Sequence, residues 1–223
     1  MEAEVAEPPV PAGELARRAR ERRFEIVSTL ILAMSALATA WSGYQASLWD
    51  GNQSSDYSQA SALRMAAGQQ ADAADEYRLA DLMVFQAFVE AKATDEEALA
   101  DFYLQRFRPE LDGAYQEWIK QDPLNDPDAP PSPFALDEYV PPAQVKANEL
   151  TLQAEDTFKQ GEQANTISDY FTLATVLFAS ALFFAAISER FEFVPARMTL
   201  LVLAGAGLIG GLFVAFSQPM TTA

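Results

Sequence analysis

The stretch YFTLATVLFASALFFAAIS, residues 170–188, contains no Asp, Glu, Lys or Arg. A hydrocarbon core about 30 Å thick needs about 20 helical residues at about 1.5 Å each, so this block is long enough to span a bilayer. Two more blocks read the same way: IVSTLILAMSALATAWSGY at 26–44 and MTLLVLAGAGLIGGLFVAF at 198–216. In a 223-residue chain, too little sequence remains to bury three uncharged helices on every side. The reading is therefore an all-α membrane protein with three transmembrane helices, at 26–45, 170–188 and 198–216, in the cell (plasma or inner) membrane. For the first block there is an alternative: Arg17, Arg18, Arg20, Arg22 and Arg23, an apolar run and the triplet Ala38, Thr39, Ala40 also fit a signal peptide cleaved before Trp41. Helix-compatible sequence continuing past residue 40 favours an uncleaved anchor.

Basic residues near the ends of a span resist translocation. The five arginines precede the first block, and no basic residue follows it until Arg64. Residues 1–25 are accordingly expected to be a cytoplasmic arm. The link at 189–197 carries Arg190 and Arg197 and returns to the cytoplasmic side, and the uncharged tail at 217–223 lies outside.

Between the first two spans, residues 46–169 form an acidic extracytoplasmic domain with 24 acidic and 8 basic residues, a net of −16 out of −17 for the whole chain. Such a surface repels nucleic acid and favours cations or basic partners, although solubility or salt adaptation explains the same balance. There is no cysteine and no histidine, so thiol chemistry, the usual zinc sites and histidine acid/base catalysis are all excluded.

The domain reads as long helices with a proline-rich strap. Residues 46–92 lack proline and continue the first span as helix, with Gly51 and Gly68 as its weakest points. Thr94 and Glu97 make a capping-box pattern for the next helix. Tyr103, Phe107, Leu111, Tyr115 and Ile119 then recur every four residues as an aromatic core stripe, interrupted at Pro109 by a kink or a fresh helix start. Residues 121–142 hold seven prolines and exclude regular helix. They act either as a strap pinned by Phe134, Leu136, Tyr139 and Val140 or as a docking segment through Pro130, Pro131, Pro133 and Phe134.

After residue 143 the helix resumes and runs into the second span. Ala147, Leu150, Ala154, Thr157, Gly161, Ala164, Ser168 and Phe171 form a coiled-coil-like seam of mostly small residues. Thr39, Gly43, Ser47 and Gly51 are the small-residue row expected opposite it. In the third span Gly207 and Gly211 form a GxxxG pair, suited to packing within the chain or to self-association.

Chemical signals are weak. Asp122, Asn125, Asp126 and Asp128 gather oxygen ligands but fail the EF-hand spacing, leaving a divalent cation as a minor option. Arg106 and Arg108 form the one local basic pair of the acidic domain. They suit a partner's carboxylate, or pairing with Glu90 or Asp81 of the neighbouring helix. No cofactor and no catalytic residue is indicated.

The stretches ATAWSGYQASLW (38–49), DFYLQRFRPEL (101–111), NDPDAPPSPF (125–134) and LATVLFASALFFAAIS (173–188) resemble a family of small bacterial membrane proteins of unknown function with three transmembrane helices. The resemblance implies the same three-span layout and no particular activity. The expected role is a non-enzymatic accessory or scaffold component that binds another envelope protein or a second copy of itself. The alternative is a ligand- or cation-sensing ectodomain that signals through a partner.

Overall fold

The computed structural model describes residues 12–221, apart from Leu124, Glu192 and the side chains at 12, 13, 15–17 and 19. Residues 1–11 of the expected arm, the Arg17 side chain and tail residues 222 and 223 lie outside the described residues. Among the described residues five α-helices appear in chain order: α1 (Ala12–Ala93), α2 (Glu97–Leu104), α3 (Pro109–Ile119), α4 (Pro142–Ser188) and α5 (Val194–Phe216), with a single 3-10 turn at Pro133–Ala135. No strand occurs among the described residues. Helices α1, α4 and α5 are each long and apolar enough to cross a membrane.

Proline explains the boundaries. None lies inside α1, and Gly51 and Gly68 do not interrupt it, because a lone helical glycine costs only about 1 kcal/mol against alanine. Pro109 and Pro142 open α3 and α4 at the first helical position, where the missing N–H has no intrahelical acceptor to lose. Pro195 sits in the first turn of α5.

The end of α1 corrects one expectation. Thr94 does not cap α2; its hydroxyl turns back to the carbonyls of Glu90 and Ala91. Asp95 takes φ 60°, and the N–H groups of Glu96 and Asp95 donate to the carbonyls of Ala91 and Lys92. That pattern is a Schellman stop, which needs a left-handed residue after the helix and here uses aspartate rather than glycine. Glu97 pairs with Lys92 at 2.5 Å instead of reaching back to the cap.

The chain divides into two compact units, Met1–Ser55 with Gln160–Ala223, and Asp56–Lys159. In the first, Ser28, Ser35 and Ser42 are fully buried on one line of α1. Ser42 donates to the Phe171 carbonyl at 2.8 Å, Ser28 donates to Glu189 at 2.8 Å, and Ser168 returns a bond to the Ala46 carbonyl at 3.0 Å. Each hydroxyl is short enough to let backbones approach while satisfying its own polarity on the neighbouring segment. Ser35 differs, since its buried side-chain oxygen has no hydrogen-bond partner among the described residues.

This line replaces the expected row. Ser47 is exposed, and a side chain added at Gly43 or Gly51 would meet nothing within 4 Å. The reason is angular: steps of four drift about 40° each around a helix, whereas steps of seven drift only about 20°. Residues 28, 35 and 42 therefore stay on a seam that 39, 43, 47 and 51 leave.

The α5 glycines do meet a neighbour. A Cβ on Gly207 would lie 3.2 Å from the Leu177 carbonyl oxygen and 3.3 Å from Ala181 Cβ, and one on Gly211 would lie 2.5 Å from the Phe178 ring. Trp41 stacks on Phe216 at 5.9 Å and meets Phe171 edge-on at 5.8 Å, tying α1 to both other apolar helices. Beyond α5 the tail folds back onto α1. Gln45, only 5% exposed, exchanges two 3.1 Å hydrogen bonds with the backbone of Thr221, and Trp49 donates to the Pro219 carbonyl.

Candidate interaction surface

The second unit is built on aromatic side chains. Phe85 and Phe88 of α1, Phe107 before α3, and Leu111 and Ala114 of α3 are buried together with Ala91, Ala100 and Tyr139. Most ring pairs meet edge to face: Phe88 with Phe107 and with Tyr115, both at 5.4 Å, and Phe85 with Trp118 at 5.7 Å and with Phe134 at 5.6 Å. Each such pair adds about 0.5–1.5 kcal/mol to the burial of the rings themselves. Desolvation by these neighbours pushes the Tyr115 phenol above its ordinary pKa.

Of the four strap residues singled out for docking, two are spent on this core. Pro133 is buried, and Phe134 packs between Phe85 and Tyr139. The Pro130 carbonyl accepts a 2.7 Å bond from the Trp118 indole, which leaves Pro131 as the exposed member. Pro133 and the Phe134 ring are thus turned into this core rather than left free for a docking partner.

The basic pair is also occupied. Arg108 donates from Nε to Asp81 at 2.9 Å, from its terminal nitrogen to the Tyr77 carbonyl, and lies over the Tyr77 ring. Asp81 is 5% exposed, and its second oxygen accepts from the Tyr139 hydroxyl at 2.9 Å. One carboxylate thus joins α1, the start of α3 and the end of the strap. Burial, followed by the hydrogen bond to Asp81, pushes the Tyr139 phenol well above its ordinary pKa. Arg106 folds back over the end of α2, donating to the Phe102 carbonyl at 2.9 Å and covering the Phe102 ring. Sequence spacing pointed to Asp81 as a partner for the pair; it carried no sign of Tyr139.

The cation candidates fold on themselves. Asn125 donates to Asp122, and Asp126 accepts from the Asp128 backbone. Among the described residues no group of three or more acidic side chains is placed to hold a metal.

What remains uncovered is the opposite face of α1. Leu79, Leu82, Met83 and Val89 are 55%, 48%, 62% and 44% exposed. Together with Gln86, Glu90 and Ala93 they occupy about one third of the helix circumference at about 100° per residue. A shallow hollow lies between Leu82 and Val89, floored by Phe85 and edged by Glu90. Asp75 and Glu76 are exposed one turn before Leu79.

Comparison with protein-family models, curated proteins and solved structures finds no match for this chain.

Proposed function

We propose that the chain is a non-enzymatic, multi-pass protein of the cell membrane whose acidic helical domain, outside the cytoplasm, binds another envelope protein. The observation that carries this reading is the exposed apolar face of α1 at Leu79, Leu82, Met83 and Val89. It lies well beyond the first uncharged block, so lipid would not cover it. Its occupant is an amphipathic helix with basic residues beside its apolar stripe, because Asp75, Glu76 and Glu90 border the face. A second copy fits poorly, since pairing would bring together two domains of net charge −16.

The test uses the purified full chain and two model amphipathic helices, identical except for lysine or glutamate flanks. Tighter binding of the lysine peptide, weakened by salt and lost in Leu82→Glu, supports the reading. Equal binding of both, or binding that Leu82→Glu leaves intact, rejects it. Photo-crosslinkers at Met83 and Val89 in native membranes should give a heteromeric product absent from Leu152 on α4; a product that is a dimer of this chain would replace the partner with a second copy.

In the same reading the arginine-bearing end of the spans faces the cytoplasm and the tail faces outward. The cysteine-free sequence makes this easy to check. A cysteine introduced at Ser58 or Ala223 should react with a membrane-impermeant thiol reagent in intact cells, and one at Arg18 should not. Labelling at position 18 would reverse the topology.

A further inference from the structure

Where α4 stops, Leu32 of α1, Phe183 and Ile187 of α4, and Phe191 just beyond it floor a recess of about 810 Å³ whose rim carries Glu189 and Arg190. The floor is apolar and open to the outside, with Phe183 57% and Phe191 46% exposed. The rim carries opposite charges on adjacent residues. Glu189 is held in place, because the fully buried Ser28 hydroxyl donates to one of its oxygens at 2.8 Å. Arg190 has no ion-pair partner among the described residues. The C-terminus of α4 also points its negative dipole end toward this rim.

A surface that is apolar below and doubly charged above matches one kind of bilayer component. A headgroup with a phosphate alone would satisfy Arg190 and leave Glu189 facing like charge. A quaternary ammonium offers Glu189 a charge but no N–H donor. A primary ammonium offers three donors, and a phosphate joined to it through two carbons can reach the neighbouring guanidinium.

We propose that this recess seats a phospholipid whose headgroup carries both a phosphate and a primary amine. The phosphate rests on Arg190 and the ammonium on the outward oxygen of Glu189. The glycerol and upper acyl chain lie along Phe183, Ile187, Leu32 and Phe191. The inference rests on the bilayer-spanning reading of α1 and α4.

The experiment reconstitutes the full chain in phosphatidylcholine nanodiscs doped with phosphatidylethanolamine or phosphatidylglycerol, and counts retained lipids by native mass spectrometry. Phosphatidylethanolamine should be retained about tenfold more tightly than phosphatidylcholine, the factor that one charge-assisted hydrogen bond supplies. Glu189→Gln keeps an acceptor for Ser28 but removes the charge; it should abolish that preference and raise retention of phosphatidylglycerol. Arg190→Gln should lower retention of both doped lipids. Equal retention of phosphatidylethanolamine and phosphatidylcholine, or a preference that survives Glu189→Gln, overturns the proposal. Displacement of the lipid by free phosphoethanolamine at comparable concentration would also overturn it, in favour of a soluble ligand. Alkaline extraction of the same preparations separates the two levels: a chain washed off vesicles rejects the bilayer reading, whereas an embedded chain without headgroup preference rejects the lipid seat alone.

Discussion

One chemical change, glycine to alanine, should have different consequences at three positions of the apolar helices. At Gly211 the new methyl would lie 2.5 Å, 2.7 Å and 3.0 Å from three atoms of the Phe178 ring. Carbon atoms in contact prefer about 3.5–4.0 Å, so the ring or the helix must withdraw by about 1 Å. Phe178 is fully buried and has little room to do so. Overpacking of this size costs about 1–3 kcal/mol, partly offset by the roughly 1 kcal/mol that alanine gains over glycine in a helix. At Gly43 nothing lies within 4 Å, so only the favourable term operates. Gly207, with contacts of 3.2 Å and 3.3 Å, falls between them.

The difference between Gly43→Ala and Gly211→Ala is thus about 1–3 kcal/mol, and the offsetting helix term cancels from it. For a chain of this size that is a gap of about 2–12 °C in Tm. Circular dichroism melts of the three variants in one detergent measure it, with the expected order Gly43→Ala highest, Gly207→Ala next and Gly211→Ala lowest. Equal melting of the two extreme variants would refute the close packing of α5 on α4.

Removing the carboxylate that joins three segments, Asp81→Ala, should destabilise the chain by about 2–3 kcal/mol, since Arg108 is partly exposed and recovers some solvation; an unchanged urea midpoint would contradict this. Tyr139 holds its proton more tightly folded than unfolded, so its contribution is complete below the ordinary phenol pKa of 10.0 and is lost as pH rises above it. Tyr139→Phe should therefore lose less stability than the parent between neutral and strongly alkaline pH, and parallel pH profiles would count against the Asp81 bond. Asp95→Gly should stabilise by about 1 kcal/mol, because glycine takes a left-handed φ without strain; a lower Tm would argue against the Schellman stop. Gln45→Ala removes both bonds to Thr221 and should speed carboxypeptidase trimming of the tail, with unchanged kinetics as the refuting result.

The three apolar helices were legible because charge is so costly in hydrocarbon that its absence over nineteen residues stands out in any composition. Pro109 as a helix start was open to reading for a similar reason, since proline leaves few alternatives. Thr94 was misread because threonine followed three residues later by glutamate fits a helix start, yet the same threonine can close the preceding helix. The left-handed turn at Asp95 decides between them, and an aspartate announces such a turn far less clearly than a glycine. The serine line stands in the sequence as Ser28, Ser35 and Ser42, spaced by sevens where the expected row ran by fours. The bonds of Tyr139 to Asp81 and of Gln45 to Thr221 cross 58 and 176 residues, and no local pattern encodes them.

The sevenfold spacing recurs in the second unit, where Ala60, Ala67, Ala74, Asp81 and Phe88 are all buried on α1 and Ala147 and Ala154 on α4. This makes the length of the paired helices a quantised quantity. Removing seven residues from each, such as 61–67 with 148–154, would shorten the bundle by two turns and leave its inner face about 20° from where it began. Removing three from one helix would rotate everything beyond the cut by about 60° relative to the other helix. Length variants of this protein should therefore come in matched steps of seven.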